Sequence, residues 1–69
     1  MARNRFANPQ RSLDIWHLMR DGRERTIGDI ATALKDDRNL VANATWLLAR
    51  AGELSREEVH KVVIYRYNH

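Results

Sequence analysis

The fold is decided by residues 35–67, which read KDDRNLVANATWLLARAGELSREEVHKVVIYRY. The first half of this stretch has the pattern of an amphipathic helix from about Arg38 to Ala51. Asp36 or Asp37 can cap its start, because a carboxylate accepts hydrogen bonds from the free N–H groups of a first helical turn. Gly52 is a typical helix stop. The pattern therefore predicts a helix with two defined ends.

Two strands are predicted after this helix, because β-branched and aromatic residues are concentrated in Leu54–Val59 and Val62–Tyr67. The segment Glu57–Lys61 is polar enough to hold a turn between them. His60 and Lys61 alone would make a poor two-residue turn, since such turns need positive φ angles, which neither residue favours. We therefore expect a hairpin with a longer loop.

An earlier helical pattern runs from Ser12 to Asp21 and ends at Gly22. Its apolar side chains fall on one broad stripe, at Ile15, Trp16, Leu18 and Met19. Leu13 falls outside that stripe and could pack under the chain that precedes the helix. Pro9 lies just before the pattern, as is usual near a helix start.

A second helix is predicted after Thr26, which has Asp29 three residues later in a capping-box arrangement. Its apolar positions follow the i, i+3, i+4, i+7 rule, at Ile27, Ile30, Ala31 and Leu34. Arg25 and Thr26 could also form a very short strand before it. Because only residues 35–37 separate this helix from the next, the two are expected to cross as a helix-turn-helix.

The charge is unevenly distributed along the chain, whose formal net charge is +3. The first eleven residues contain no acid and three arginines, Arg3, Arg5 and Arg11. From Ser12 onward there are nine basic and nine acidic residues. We therefore divide the chain into a flexible basic arm, residues 1–11, and a folded domain, residues 12–69. The arm could bind phosphate or serve only as a solubilising tail.

The composition argues against several classes of protein. Because cysteine is absent, disulfides and thiolate metal sites are excluded. The apolar runs are short and the N-terminal residues lack the apolar centre of a signal peptide, so we expect a cytoplasmic protein without a membrane span. No glycine-rich phosphate loop occurs, and the three histidines are far apart, at His17, His60 and His69. We therefore expect neither catalysis nor a metal or cofactor site.

Three segments carry a resemblance to a known family: TIGDIA at 26–31, WLLARAGEL at 46–54 and VIYRY at 63–67. In them the chain resembles the winged helix-turn-helix superfamily, and most of all its small stand-alone bacterial and phage members. The resemblance covers roughly Ser12 to Tyr67 and implies an α+β fold of three helices followed by a two-stranded β-hairpin wing. It also implies a transcriptional regulator that reads duplex DNA with its third helix in the major groove.

The chain departs from this family in two respects. Its wing tip lacks the Gly-Arg pair typical of DNA-binding wings, and its third helix is unusually poor in Lys and Arg. Winged domains also mediate protein contacts, so a fold of this kind does not by itself determine function. A protein-interaction module is therefore the alternative to a DNA-binding regulator.

The outward face of the third helix carries the candidate DNA contacts. Steps of 100° per residue place its apolar positions on one side, at Leu40, Val41, Ala44, Leu47, Leu48 and Ala51. The opposite side carries Asn39, Ala42, Asn43, Trp46 and Arg50. Asparagine can pair with N6 and N7 of adenine, and Arg38 and Arg50 could reach phosphates or guanine. Further candidates are basic residues of the hairpin, Arg56, Lys61 and Arg66, and of the arm, Arg3, Arg5 and Arg11.

Trp46 is unusual because it lies on the polar side of its helix, where a large aromatic side chain requires a partner. Three interpretations are open. Trp46 could pack against Phe6 of the arm or against the hairpin, could anchor a homodimer or a protein partner, or could contact DNA directly. A homodimer would also give a single small domain useful affinity for DNA.

Overall fold

The computed structural model describes residues 9–68 and folds them into three helices followed by a two-stranded antiparallel sheet. The elements are α1 (Pro9–Met19), α2 (Ile27–Leu34), α3 (Arg38–Arg50), β1 (Leu54–Val59) and β2 (Val62–Tyr67). This is the predicted α+β layout of a winged helix-turn-helix. Four residues that entered the predictions, Arg3, Arg5, Phe6 and His69, lie outside the described residues. Within residues 9–68, no helix is both long and apolar enough to cross a membrane.

The start of α1 differs from the prediction. The helix begins at Pro9 rather than at Ser12, because a proline in the first turn has no N–H to leave unpaired and a φ angle already suited to a helix. Arg11, assigned above to a flexible arm, therefore lies within α1. Leu13 remains 49% exposed.

Local hydrogen bonds close both ends of α2. The predicted capping box of α2 is confirmed, since Thr26 and Asp29 each accept a bond from the other's backbone N–H at 3.1 Å. The helix ends at Lys35, which adopts a left-handed φ of 53° although it is not glycine. The N–H of Asp36 then donates to the carbonyl of Ala31 at 3.0 Å, which closes the helix end.

Both predicted ends of α3 are confirmed. The side chain of Asp37 accepts bonds from the N–H groups of Asn39 and Leu40 at 2.9 and 3.0 Å. Gly52 has a φ of 87°, and the next N–H, of Glu53, donates to the carbonyl of Leu48 at 3.0 Å. This helix-ending motif needs the positive φ that glycine adopts freely.

The predicted inner face of α3 is correct at its centre and wrong at one edge. Val41 and Ala44 are buried, but Leu47 is 48% exposed and Ala51 is also exposed. The buried face is rotated toward Thr45, which is fully buried. α3 packs against α1, α2 and β1, and the core consists of Ile15, Met19, Ile30, Ala31, Val41, Ala44, Leu54 and Tyr65.

The hairpin turn is shorter than predicted. Val59 pairs with Val62, so His60 and Lys61 alone form the turn, with φ angles of 51° and 66°. The expectation of a longer loop is therefore wrong. Tight turns with two positive φ angles match the right-handed twist of paired strands, and here that match outweighs a cost of roughly 1–2 kcal/mol for each non-glycine residue.

The predicted short strand before α2 is reduced to a single residue. The N–H and carbonyl of Arg25 bond to the carbonyl and N–H of Tyr65 at 2.9 and 2.8 Å. The Arg25 guanidinium donates two bonds of 2.9 Å to the carboxylate of Asp21, which holds the pKa of that carboxyl well below its usual range. The segment between α1 and α2 is thereby joined to β2.

Candidate nucleic-acid interface

The outward side of α3 presents a single row of four side chains, Asn39, Asn43, Trp46 and Arg50. All four are exposed. Their spacing keeps them within about 60° of arc at 100° per residue, along about 16 Å of helix. We call this set the outer row. Ala42, also predicted to face outward, is only half-exposed and lies at the edge of the row.

The charge of α3 is entirely positive. The helix contains Arg38 and Arg50 and no acid, and Asp37 before it is engaged in capping the first turn. Within residues 9–68, no ion pair joins Arg38, Arg50 or Lys61 to a carboxylate. These three cations are therefore available to an anionic partner, although the body of the protein has no net charge.

Trp46 contacts a residue of its own helix. The guanidinium of Arg50 lies over the indole, 4.8 Å from the ring centroid, while Trp46 stays 44% exposed. Stacking uses the flat face of the guanidinium and leaves the N–H groups at its edge free to donate. The spacing of four residues between Trp and Arg signals such a pair, but the sequence interpretation did not consider it. Phe6, the other suggested partner, lies outside the described residues.

The hairpin does not bring its arginines to one surface. Arg56 pairs in register with Tyr65, and Arg66 with Ser55. Because successive side chains of a strand point to opposite faces, Arg56 shares the face of buried Tyr65 and Arg66 projects from the other. Arg66 also lies 3.7 Å from a carboxylate oxygen of Glu24.

Arg11 is engaged within the protein. Its Nε and Nη2 donate to the carboxylate of Asp36 at 2.7 and 3.3 Å, and its side chain is only 11% exposed. The bond from Arg11 lowers the pKa of Asp36 and raises the pKa of Arg11. A residue predicted to hold DNA thus joins α1 to the connection between α2 and α3.

Two of the predicted cations meet at one cleft. A concavity of about 400 Å³ separates the start of α2 from the tip of the hairpin, and Arg38 and Lys61 both line it. We call it the tip cleft; its lining residues are Thr26, Ile27, Arg38, Lys61, Val62 and Val63. Arg38 and Lys61 were predicted as separate candidate contacts, one on the third helix and one on the hairpin. The packing of the hairpin against the helices brings them to the same cleft.

Two further observations concern metal binding and similarity to known proteins. No group of three or more His, Asp or Glu side chains in the described part of the chain is arranged to hold a metal ion. In the comparisons with known proteins, no family model and no curated sequence matches the chain. The geometry of α3 and the hairpin is therefore what bears on function.

Proposed function

We propose that the protein is a small transcriptional regulator that binds duplex DNA, with α3 in the major groove. The observation that carries the proposal is the outer row. It lies on the second helix of a helix-turn-helix, on a helix that has two arginines and no acid. In proteins of this architecture that helix is the one that reads base edges.

Each member of the outer row has a chemistry suited to the groove. Asn39 and Asn43 can each accept from N6 and donate to N7 of adenine, and these paired bonds contribute about 1–3 kcal/mol of discrimination. The edge of Arg50 can donate to a phosphate or to O6 and N7 of guanine. The indole of Trp46 offers apolar surface to a thymine methyl group or a sugar. An α-helix is about 10–12 Å across with its side chains, which fits the width of the major groove, about 12 Å.

A selection from a random duplex library, followed by binding measurements at about 50 mM salt, tests the proposal. We expect binding that weakens steeply as salt rises, and selected sites that contain adenine. Asn43→Ala should relax the preference at one position. Arg23→Gln, in the connection between α1 and α2, is the control for loss of a positive charge elsewhere. A protein that binds no duplex at this salt concentration does not have the proposed function.

A second candidate is a protein-interaction module, favoured by adjacent apolar residues on α3. Trp46 and Leu47 are 44% and 48% exposed. Exposed tryptophan is a frequent anchor of protein interfaces. Light scattering of the unchanged protein and of Trp46→Ala distinguishes the two candidates. A dimer that the substitution converts to a monomer, in a protein that does not bind DNA, would favour this alternative.

A further inference from the structure

We propose that the tip cleft holds one backbone phosphate of duplex DNA between Arg38 and Lys61. The inference rests on the proposed function and assigns to the hairpin tip a specific part in it. The two cations belong to different elements, the first residue of α3 and the last residue of the hairpin turn. A phosphate that enters the cleft would therefore contact the helix and the wing at once.

The electrostatics of the cleft favour an anion. Neither Arg38 nor Lys61 is in an ion pair with a carboxylate of residues 9–68, and no acid lines the cleft. Thr26 and Ile27 stand at the N-terminus of α2, which is the positive end of the helix dipole. The nearby carboxylates of Asp29 and Asp37 are engaged in capping their helices.

One carboxylate opposes this arrangement and provides a test of it. Glu58 is paired in register with Val63, which packs against the core, and so projects from the face of the hairpin that turns toward α2. Glu57, the residue before it in the strand, is paired with Ile64 and projects from the opposite face. Replacement of either glutamate by glutamine changes the net charge equally, but only Glu58 lies on the face that turns toward α2.

The turn places a lysine, Lys61, at a position where glycine would be favoured. Its φ of 66° is one that glycine adopts freely and lysine adopts at a cost. The two-residue turn requires this conformation at both of its residues, His60 and Lys61. Lysine at this position gives the rim of the cleft a positive charge, which glycine would not supply.

A phosphate held here would orient α3 rather than read sequence. Phosphate contacts fix the register and angle of a protein on the duplex, and base contacts give specificity. The cleft lies next to the first residue of α3, and the N-terminal part of a recognition helix is the part that approaches the bases. One bound phosphate would therefore set the depth at which Asn39 and Asn43 meet the groove.

The test measures affinity for a fluorescent duplex as a function of salt for Arg38→Gln, Lys61→Gln and the double variant. Each single change should weaken binding and make the plot of log affinity against log salt shallower by about 0.9, the value for one phosphate. The double variant should lose about one phosphate contact rather than two, because both side chains hold the same group. Arg23→Gln should leave the slope unchanged.

Two further variants test whether the face of the hairpin that turns toward α2 contributes to binding. Glu58→Gln should tighten binding more than Glu57→Gln does. Unchanged slopes in both single variants, a double variant that loses two full contacts, or equal effects of Glu57→Gln and Glu58→Gln would overturn the shared phosphate while leaving DNA binding intact. Absence of binding by the unchanged protein would instead overturn the proposed function.

Discussion

The two tryptophans of this protein have the same local arrangement and opposite surroundings. Each has an arginine four residues later whose guanidinium stacks on the indole, at 4.7 Å for Trp16 and Arg20 and at 4.8 Å for Trp46 and Arg50. Trp16 is half-buried, and Tyr67 of β2 meets it edge-on, with ring centroids 6.4 Å apart. Trp46 faces solvent.

The two pairs differ in whether a further aromatic ring contacts them. Arg20 lies between Trp16 and Tyr67, 6.0 Å from the latter ring, so the α1 pair joins a helix to the sheet. The α3 pair has no such third ring among the described residues. The same side-chain pair therefore stabilises the fold in one place and is left available to a partner in the other. Sequence spacing determines the pair, and tertiary packing determines its role.

The largest expected effect separates the two tryptophans by stability. Trp16→Ala removes a half-buried indole from the contact between α1 and β2, and we expect a loss of about 2–4 kcal/mol in the free energy of unfolding. A domain this small has roughly 3–5 kcal/mol in all, so much of the variant should be unfolded. Trp46→Ala should cost less than about 1 kcal/mol. Urea denaturation followed by circular dichroism measures both, and equal losses would contradict the comparison.

The two arginines should differ in DNA binding instead. Arg50→Gln removes a donor from the outer row, and we expect affinity for duplex DNA to fall about tenfold, which corresponds to about 1.4 kcal/mol. Arg20→Gln should leave affinity unchanged and lower stability by about 0.5–1 kcal/mol. Fluorescence anisotropy and urea denaturation of the same two samples test this. The comparison fails if both substitutions weaken binding alike.

Two lysines with positive φ extend the comparison to the backbone. Lys35 ends α2 and Lys61 closes the hairpin, at φ angles of 53° and 66°. Replacement of either by glycine relieves the left-handed conformation, and we expect each to raise the free energy of unfolding by about 1 kcal/mol. Only Lys61→Gly should also make the salt dependence of DNA binding shallower. If only Lys35→Gly changed the slope, the phosphate contact would belong to Lys35 and the assignment to Lys61 would be wrong.

The smallest expected effect concerns acid stability. Arg25 lowers the pKa of Asp21, and Arg11 lowers the pKa of Asp36, each below the ordinary value of 3.8. Because the folded-state pKa values are the lower ones, their stabilisation is complete above that ordinary value and is lost as the pH falls through the folded-state values. These pairs are partly solvated, so we expect only a small contribution to stability from each.

Arg11→Gln tests this acid dependence. The substitution removes one of the two ion pairs, so thermal stability should fall less steeply between pH 4 and pH 2 than in the unchanged protein. Arg56→Gln is the control, because Arg56 is exposed and its side chain has no ion pair within the described residues. An identical pH dependence in all three proteins would show that the Arg11 pair contributes nothing to acid stability.

Much of the fold could be predicted because its signals are local. The capping box of Thr26 and Asp29, the cap of α3 and the stop at Gly52 each involve residues within one helical turn. The first and last were predicted in place, and the cap was predicted at Asp36 or Asp37. The face of α3 was harder, because periodicity fixes the direction of burial only to within about one residue. Thr45 was overlooked at the centre of that face because its hydroxyl makes it polar by type.

The residues of the candidate site on a single helix could be predicted, but the contacts between distant segments could not. The outer row follows from the 100° step of a helix and could be read directly. The joining of Arg38 to Lys61, and of Arg11 to Asp36, depends on how distant segments pack. The turn at His60 and Lys61 was mispredicted because residue preference was given more weight than the twist of the strands, which favours that backbone conformation.

The bridge between Arg25 and Tyr65 has a consequence for the kinetics of folding. It joins residues 40 positions apart, whereas the helices and the hairpin close through near neighbours. Closing so long a loop costs on the order of 3 kcal/mol of chain entropy, so this contact should form after the local ones. Interactions made after the transition state act mainly on the rate of unfolding. The lifetime of the folded protein is therefore expected to depend on two backbone hydrogen bonds far from α3.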